Sequence, residues 1–272
     1  MSGDQTETSN YRINRDNFDT FWFEPYDSDK NYTKFQYIPI KEKDEARKYV
    51  KSALTQAILD HHISSQAVEG ALERLGFAEA AKYLCGRLPR EQKTRKGNFG
   101  EVVACEHLSQ RYGYKLPVFK LRFMDNPDMP MRGEDIVAFE ITEDNKITAI
   151  CIGEAKTLER YNHNQVKKAH NRLVTTYHPY PISLFLISNI LHERGDHDLA
   201  EQIDIILETL TLRSFPRHNW IFIITGNRPR NAFRPIEEMG TVVENLRTVN
   251  LHLPKLSSFI DEIFDNPVIG SK

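Results

Sequence analysis

The stretch "DIVAFEITEDNKITAICIGEAK", residues 135–156, restricts the possible folds more than any other part of the chain. Two apolar runs of strand length flank the polar "TEDNK", a pattern that predicts an antiparallel hairpin. Each run carries charge at one end: Asp135 opens the first, and Glu154 with Lys156 closes the second. Pairing in register brings those ends side by side. Residues two apart on a strand share a face about 6–7 Å apart. Glu154 and Lys156 therefore project together, with Ala155 turned away. Two carboxylates so placed repel, and one is driven towards protonation unless a cation lies between them. A hard divalent cation such as Mg²⁺ relieves that repulsion, because it takes oxygen ligands and keeps waters. The carbonyl of Ala155 is a further candidate donor. Lys156 adds positive charge where hydrolysis of a phosphodiester develops negative charge, or orients the attacking water.

The surrounding pattern predicts an α/β architecture. Residues 41–85 carry apolar positions at helical spacing in two segments, with Ser64 or Ser65 as cap of the second. The basic "CGRLPREQKTRKGN" reads as a linker. "NFGEVVACEHLSQRYG" follows as a helix from Asn98 to a stop at Gly113. "LPVFKLRFM" reads as β-rich, "NHNQVKKAHNRLVTTY" as a helix, "ISLFLIS" as a buried strand, "DLAEQIDIILETL" as a helix and "NWIFIIT" as a strand. Helices alternating with strands in this way imply a central mixed β-sheet flanked by helices. Residues 1–90 form an accessory region, mostly helical after an aromatic stretch with an Asp-Ser-Asp turn, and residues 91–272 form the main domain.

Composition narrows the function classes. Of 272 residues, 36 are Lys or Arg and 38 are Asp or Glu, a net charge of −2. A protein that coats nucleic acid by neutralising phosphates is strongly basic, so contact with DNA here requires a local patch or a partner that delivers it. Basic clusters at 87–97, 165–172 and 227–234 are the candidates, each equally readable as solvated surface. No apolar run reaches membrane-spanning length, and the polar "MSGDQTETSN" lacks the pattern of a secretory signal. Cys85, Cys105 and Cys151 are widely spaced, with no metal or disulfide pattern, which fits a cytoplasmic protein. His61 and His62 stand outside any HExxH arrangement, and no Gly-rich phosphate loop is present.

The motifs "GED" at Asp135 and "GEAK" at Glu154 and Lys156, after a helix carrying Glu101 in "GNFGEVVA", resemble the PD-(D/E)xK nucleases. That resemblance implies a restriction-endonuclease-like core, with Asp135, Glu154 and Lys156 catalytic and Glu101 assisting. It places Mg²⁺, with Mn²⁺ able to substitute, on Asp135, Glu154, the Ala155 carbonyl and Glu101. Gln165 matches a glutamine found in several branches and, with Lys168, is a candidate phosphate contact. Glu134 stands where the motif has proline, which makes it a rival ligand, although strand alternation turns it from Asp135. More narrowly, "GNFGEVVACEHL", "RGEDIVAF" and "ICIGEAKT" resemble the HamA-type nuclease subunits of Hachiman anti-phage defence. That implies DNA as target and a helicase partner of HamB type. Residues 41–85 and the aromatics Phe21, Trp22 and Phe23 are then the expected docking surface, unless these rings pack as core. A DNA-repair or restriction-type nuclease, or a scaffold that keeps the fold without turnover, stays open as an alternative.

Overall fold

The computed structural model describes residues 13–28, 30–176, 180–212 and 215–265. The N-terminal decapeptide, Asp29 of the expected turn and Tyr177 at the end of an expected helix lie outside these residues. In chain order the elements are α1 (Phe18–Trp22), β1 (Phe23–Pro25), β2 (Gln36–Glu42), α2 (Arg47–His62), α3 (Ser65–Cys85), α4 (Gln92–Tyr112), a 3₁₀ turn (Lys120–Phe123), β3 (Ile136–Ile141), β4 (Ile147–Leu158), α5 (His163–Asn171), a π-helical turn (Arg172–Thr176), α6 (Ser183–Arg194), α7 (His197–Leu212), β5 (Arg217–Thr225), α8 (Arg234–Glu237), β6 (Leu246–His252) and α9 (Leu256–Asp265).

The strands form one mixed sheet in the order β1-β2-β6-β5-β4-β3. The outer pairs β1–β2 and β3–β4 are antiparallel, and the three pairs between them are parallel. Alternation along the central strands builds two cores. Trp220, Phe222 and Ile224 of β5 face one layer with Cys151 of β4; Ile221 and Ile223 face the other with Ile150 and Ile152. The first layer is covered by α1–α4 and α9, the second by α5–α8. This is the expected α/β fold, a mixed sheet between helical layers with a mostly helical N-terminal region.

That region also contributes strands. β2 runs parallel to β6, Gln36 opposite Arg247, and α2 shares its apolar core with α4 and α9. Residues on both sides of position 90 thus build one sheet and one core. Trp22 and Phe23 are 0% and 1% exposed, stacked on each other at 4.3 Å, with Trp22 edge-on to Phe259. The docking reading of these two rings is corrected: they are core, and Phe21 packs partly buried against the same cluster.

Three local expectations are also corrected. "ISLFLIS" belongs to α6, where Leu184, Ile187 and Leu191 are buried while Ile182 and Phe185 are exposed. An unbroken apolar run does not separate buried strand from buried helix. "LPVFKLRFM" holds the 3₁₀ turn at Lys120–Phe123 and no strand, and the isolated Lys115–Phe139 bridge beside β3 lies just before it. Only residues 86–91 of the expected linker lie between helices; from Gln92 onward it is the first part of α4. Its N-terminus is closed from a distance: Asp128 Oδ1 accepts from the backbone N–H of Arg90 and Glu91 at 2.5 and 2.8 Å. Arg95 pairs with Asp265 at 2.7 Å, and Asn98, expected as a cap, is buried against His62. Gly113 ends α4 in the left-handed conformation, as expected, and Ser64 caps α3 through Ala67 N–H.

Candidate active site

The hairpin register places the charged ends together. Ile136 lies opposite Gly153, so Asp135, one residue before β3, stands beside Glu154. β4 continues past that point, and there Glu154 and Lys156 are flanked by Ile221 and Ile223 of β5. Lys156 Nζ donates to Glu154 Oε2 at 2.5 Å, to Asp135 Oδ2 at 3.3 Å and to the Ala155 carbonyl at 3.2 Å. Asp135 Oδ2 also accepts from Ala155 N–H at 3.0 Å, which fixes its orientation. Burial opposes the charge on Lys156, but Asp135 and Glu154 outweigh it and hold the ammonium above the ordinary lysine value. Lys156 is therefore a cationic donor at neutral pH, unsuited to act as a base.

Glu101 enters from α4. Gly100 allows this approach, since a Cβ there would sit 2.3 Å from Thr157 Oγ1 on β4. Burial, with the charges of Asp135 and Glu154, pushes the Glu101 carboxyl up to about 8, against the opposing charge of Lys120. Lys120 Nζ lies 3.9 Å from Glu101 Oε1 and donates to the carbonyl of Glu134, next to Asp135. Glu134 itself turns to α6, where its two carboxylate oxygens accept from Ile182 and Ser183 N–H, both at 2.9 Å. It is a helix cap, 1% exposed, and not a rival ligand.

Two residues at the site were not singled out as site residues in the sequence. Arg172, at the start of the π-helical turn, reaches Glu154 Oε2 with Nη1 at 3.3 Å and the Gly133 carbonyl with Nη2 at 3.1 Å. It closes the basic cluster at 165–172, one helical turn beyond Lys168, a spacing that could have marked it. Lys120 is the other, and nothing in the spacing of "LPVFKLRFM" marks it. Lys168 is exposed and Gln165 half-buried on α5, which packs against β4; neither is among the contacts of the carboxylates. His61 and His62 are core residues. His61 Nε2 meets Glu106 at 2.8 Å, His62 Nδ1 meets the Ile58 carbonyl at 2.7 Å, and burial lowers both, His62 to about 4.

The donor chemistry suits a hard divalent cation. Three oxygens, from Asp135, Glu154 and Ala155, already converge on one positive centre, the Lys156 ammonium. Mg²⁺ needs only one or two carboxylates beside its waters. Among the described residues no three His, Cys, Asp or Glu side chains close on a common point, because Lys156 and Arg172 hold Glu154 and Glu101 stands back on Lys120. The Glu101 carboxyl is raised first by its burial and then by the charges of Asp135 and Glu154.

A mixed sheet whose hairpin sets Asp and Glu-x-Lys side by side, with an acid from the preceding helix, defines the restriction-endonuclease-like class. A family model described as HamA matches residues 14–266, and the chain belongs to the HamA family. A curated relative, Hachiman protein HamA of Bacillus cereus, is 26% identical over 244 residues, covering 88% of this chain and 85% of the relative.

Glu101 yields a direct test. Gln copies the neutral carboxyl, so Glu101→Gln should leave the melting temperature unchanged while weakening Mg²⁺ affinity or the cleavage rate by roughly 10- to 100-fold. Calorimetry in two buffers at pH 7 should also lose the proton released on Mg²⁺ uptake. A titration identical to wild type would reduce Glu101 to a packing residue.

Proposed function

We propose that this chain is the Mg²⁺-dependent deoxyribonuclease subunit of a Hachiman anti-phage defence system, working with a helicase that restrains it. One observation carries the reading: Lys156 Nζ bridges Asp135 and Glu154 at the ends of paired strands. Asp135, Glu154 and the Ala155 carbonyl would hold Mg²⁺, with Glu101 in support. Bound there, the ion supplies the charge that polarises a phosphoryl oxygen and acidifies an attacking water.

The chain's own groups do the rest. As an ammonium whose charge Asp135 and Glu154 favour, Lys156 faces the negative charge that would grow on the phosphoryl oxygens and orients the water through its N–H groups. Arg172 holds the buried Glu154 carboxylate in place. Lys168 and Gln165 on α5 are the candidate contacts to the flanking backbone. Among the described residues no helix is long and apolar enough to cross a membrane.

The test uses purified chain, alone and with the helicase encoded beside it, on plasmid and linear DNA. Mg²⁺ should support cleavage and EDTA should abolish it, and the co-purified complex should show lower basal cleavage than the free chain. Absence of cleavage under every combination would leave the non-catalytic scaffold reading standing.

A further inference from the structure

Away from the carboxylates, a second cavity of about 640 Å³ opens between the α2–α3 junction, the 3₁₀ turn and the end of α6. Arg87, Arg122 and Arg194 line it, each from a different segment, and no Asp or Glu is among its lining residues. None of the three forms an ion pair with a described carboxylate. Arg122 Nε donates to the Asp60 carbonyl at 2.6 Å and its guanidinium lies over Phe119. Arg194 donates to the Pro117 carbonyl at 3.3 Å and lies over Phe123. Both guanidinium groups are thus oriented by neutral partners, and their charges are left for something else. Burial lowers Arg122; Asp60 opposes this, while Arg194 and Arg15 push it further down. Asp60 itself is engaged by Arg15 at 3.2 Å.

We propose that this cavity binds the phosphate of a nucleotide. Folding brings like charges together here, and guanidinium forks match phosphate oxygens in pairs. The first turn of α3 adds Ser65 and Gln66, whose backbone N–H groups no helical carbonyl can reach. Phe123, 38% exposed in the same wall, gives a base an aromatic surface. The volume falls within the range of small-molecule sites, about 300–1,000 Å³, and exceeds what a lone phosphate needs. The cavity is also joined to the candidate active site by a single turn. Lys120 supports Glu134 and Glu101, and Arg122, two residues on, lines the cavity. A phosphate of a DNA strand and a free nucleotide are the two sources of this chemistry.

Binding is measured without divalent metal, in EDTA, so that the result is independent of whether the chain cleaves. The probes are a fluorescent single-stranded oligodeoxynucleotide, followed by anisotropy, and ATP and inorganic phosphate, followed by calorimetry. Arg87→Gln with Arg194→Gln changes two exposed side chains and should not disturb folding. The double variant should lose about 10-fold or more in affinity, and its salt slope for the single strand should fall by about 1.4. Lys146→Gln, at the far end of the hairpin, should change neither. Saturable binding of the oligonucleotide alone assigns the site to a phosphate of a DNA strand, and binding of ATP assigns it to a free nucleotide. The proposal is overturned if no probe saturates, or if the double variant binds like wild type.

Discussion

Replacing Lys156 by alanine is expected to reduce Mg²⁺-dependent DNA cleavage by at least ~10²- to 10³-fold, the scale on which a transition-state charge donor acts. Lys156→Arg should rescue little, because a planar guanidinium cannot occupy the point where three oxygens meet one compact ammonium. Metal binding separates this from a collapse of the site. The ammonium competes with a cation for Asp135, Glu154 and the Ala155 carbonyl, so Lys156→Ala should bind Mg²⁺ as well as wild type or more tightly. Glu154→Gln should lose both binding and cleavage, because it removes a donor. The paired measurements are plasmid cleavage and calorimetric Mg²⁺ titration, with the melting temperature as control. Near wild-type cleavage by Lys156→Ala would refute the assignment of this residue, whatever the metal affinity.

The hairpin was legible because its signal is local: a polar connection from Thr142 to Lys146, apolar alternation on both sides, and charges at matching ends. The turn sets Ile141 opposite Ile147, and a bulge between Glu140 and Ile141, which the sequence does not announce, shifts the register by one residue and brings Asp135 beside Glu154. What was not legible depends on distant partners. Glu134 finds its role 48 and 49 residues away, at the start of α6. Lys120 joins the site only because its segment abandons the ladder after one bridge at Lys115. The run "ISLFLIS" carries seven residues without a charge, too few and too uniform to declare a period. Basic residues at 87–97 read as a linker because their polar atoms suit water. In the fold, Arg95 instead ties α4 to α9 through Asp265, and Arg87 lines the arginine cavity. The aromatic N-terminus shows the same limit: the composition of Phe21, Trp22 and Phe23 suits an interface as well as a core, and only β2 pairing with β6 decides for the core.

Asp19→Ala is expected to destabilise the protein by ~3–5 kcal/mol, the cost of removing one partner from a buried charge group. Asp19 is 1% exposed. It accepts from Arg111 Nε and meets His107 Nδ1 at 3.0 Å; Arg111 Nη2 also donates to the carbonyls of Asp19 and Phe23, at 2.9 and 2.8 Å. Together with Asp19 N–H donating to Gln110 Oε1 at 2.9 Å, these bonds fasten α1 to the last turns of α4. Truncation leaves the partly buried Arg111 guanidinium without its carboxylate and frees the segment that carries Trp22 into the core. The pH dependence has a definite sign. Burial raises the Asp19 carboxyl, but the charges and hydrogen bonds of His107 and Arg111 outweigh it and leave it below its ordinary value of 3.8. A carboxyl lowered in the folded state stabilises fully above its unfolded value, and the contribution fades as pH falls through the folded one. The gap between wild type and Asp19→Ala, measured by urea unfolding, should therefore shrink as pH falls below about 4. Equal midpoints at pH 7 would mean that α1 is held by its aromatic packing alone. An N-terminal segment that loosens in Asp19→Ala while cleavage persists would separate the support of the fold from the chemistry of the carboxylates.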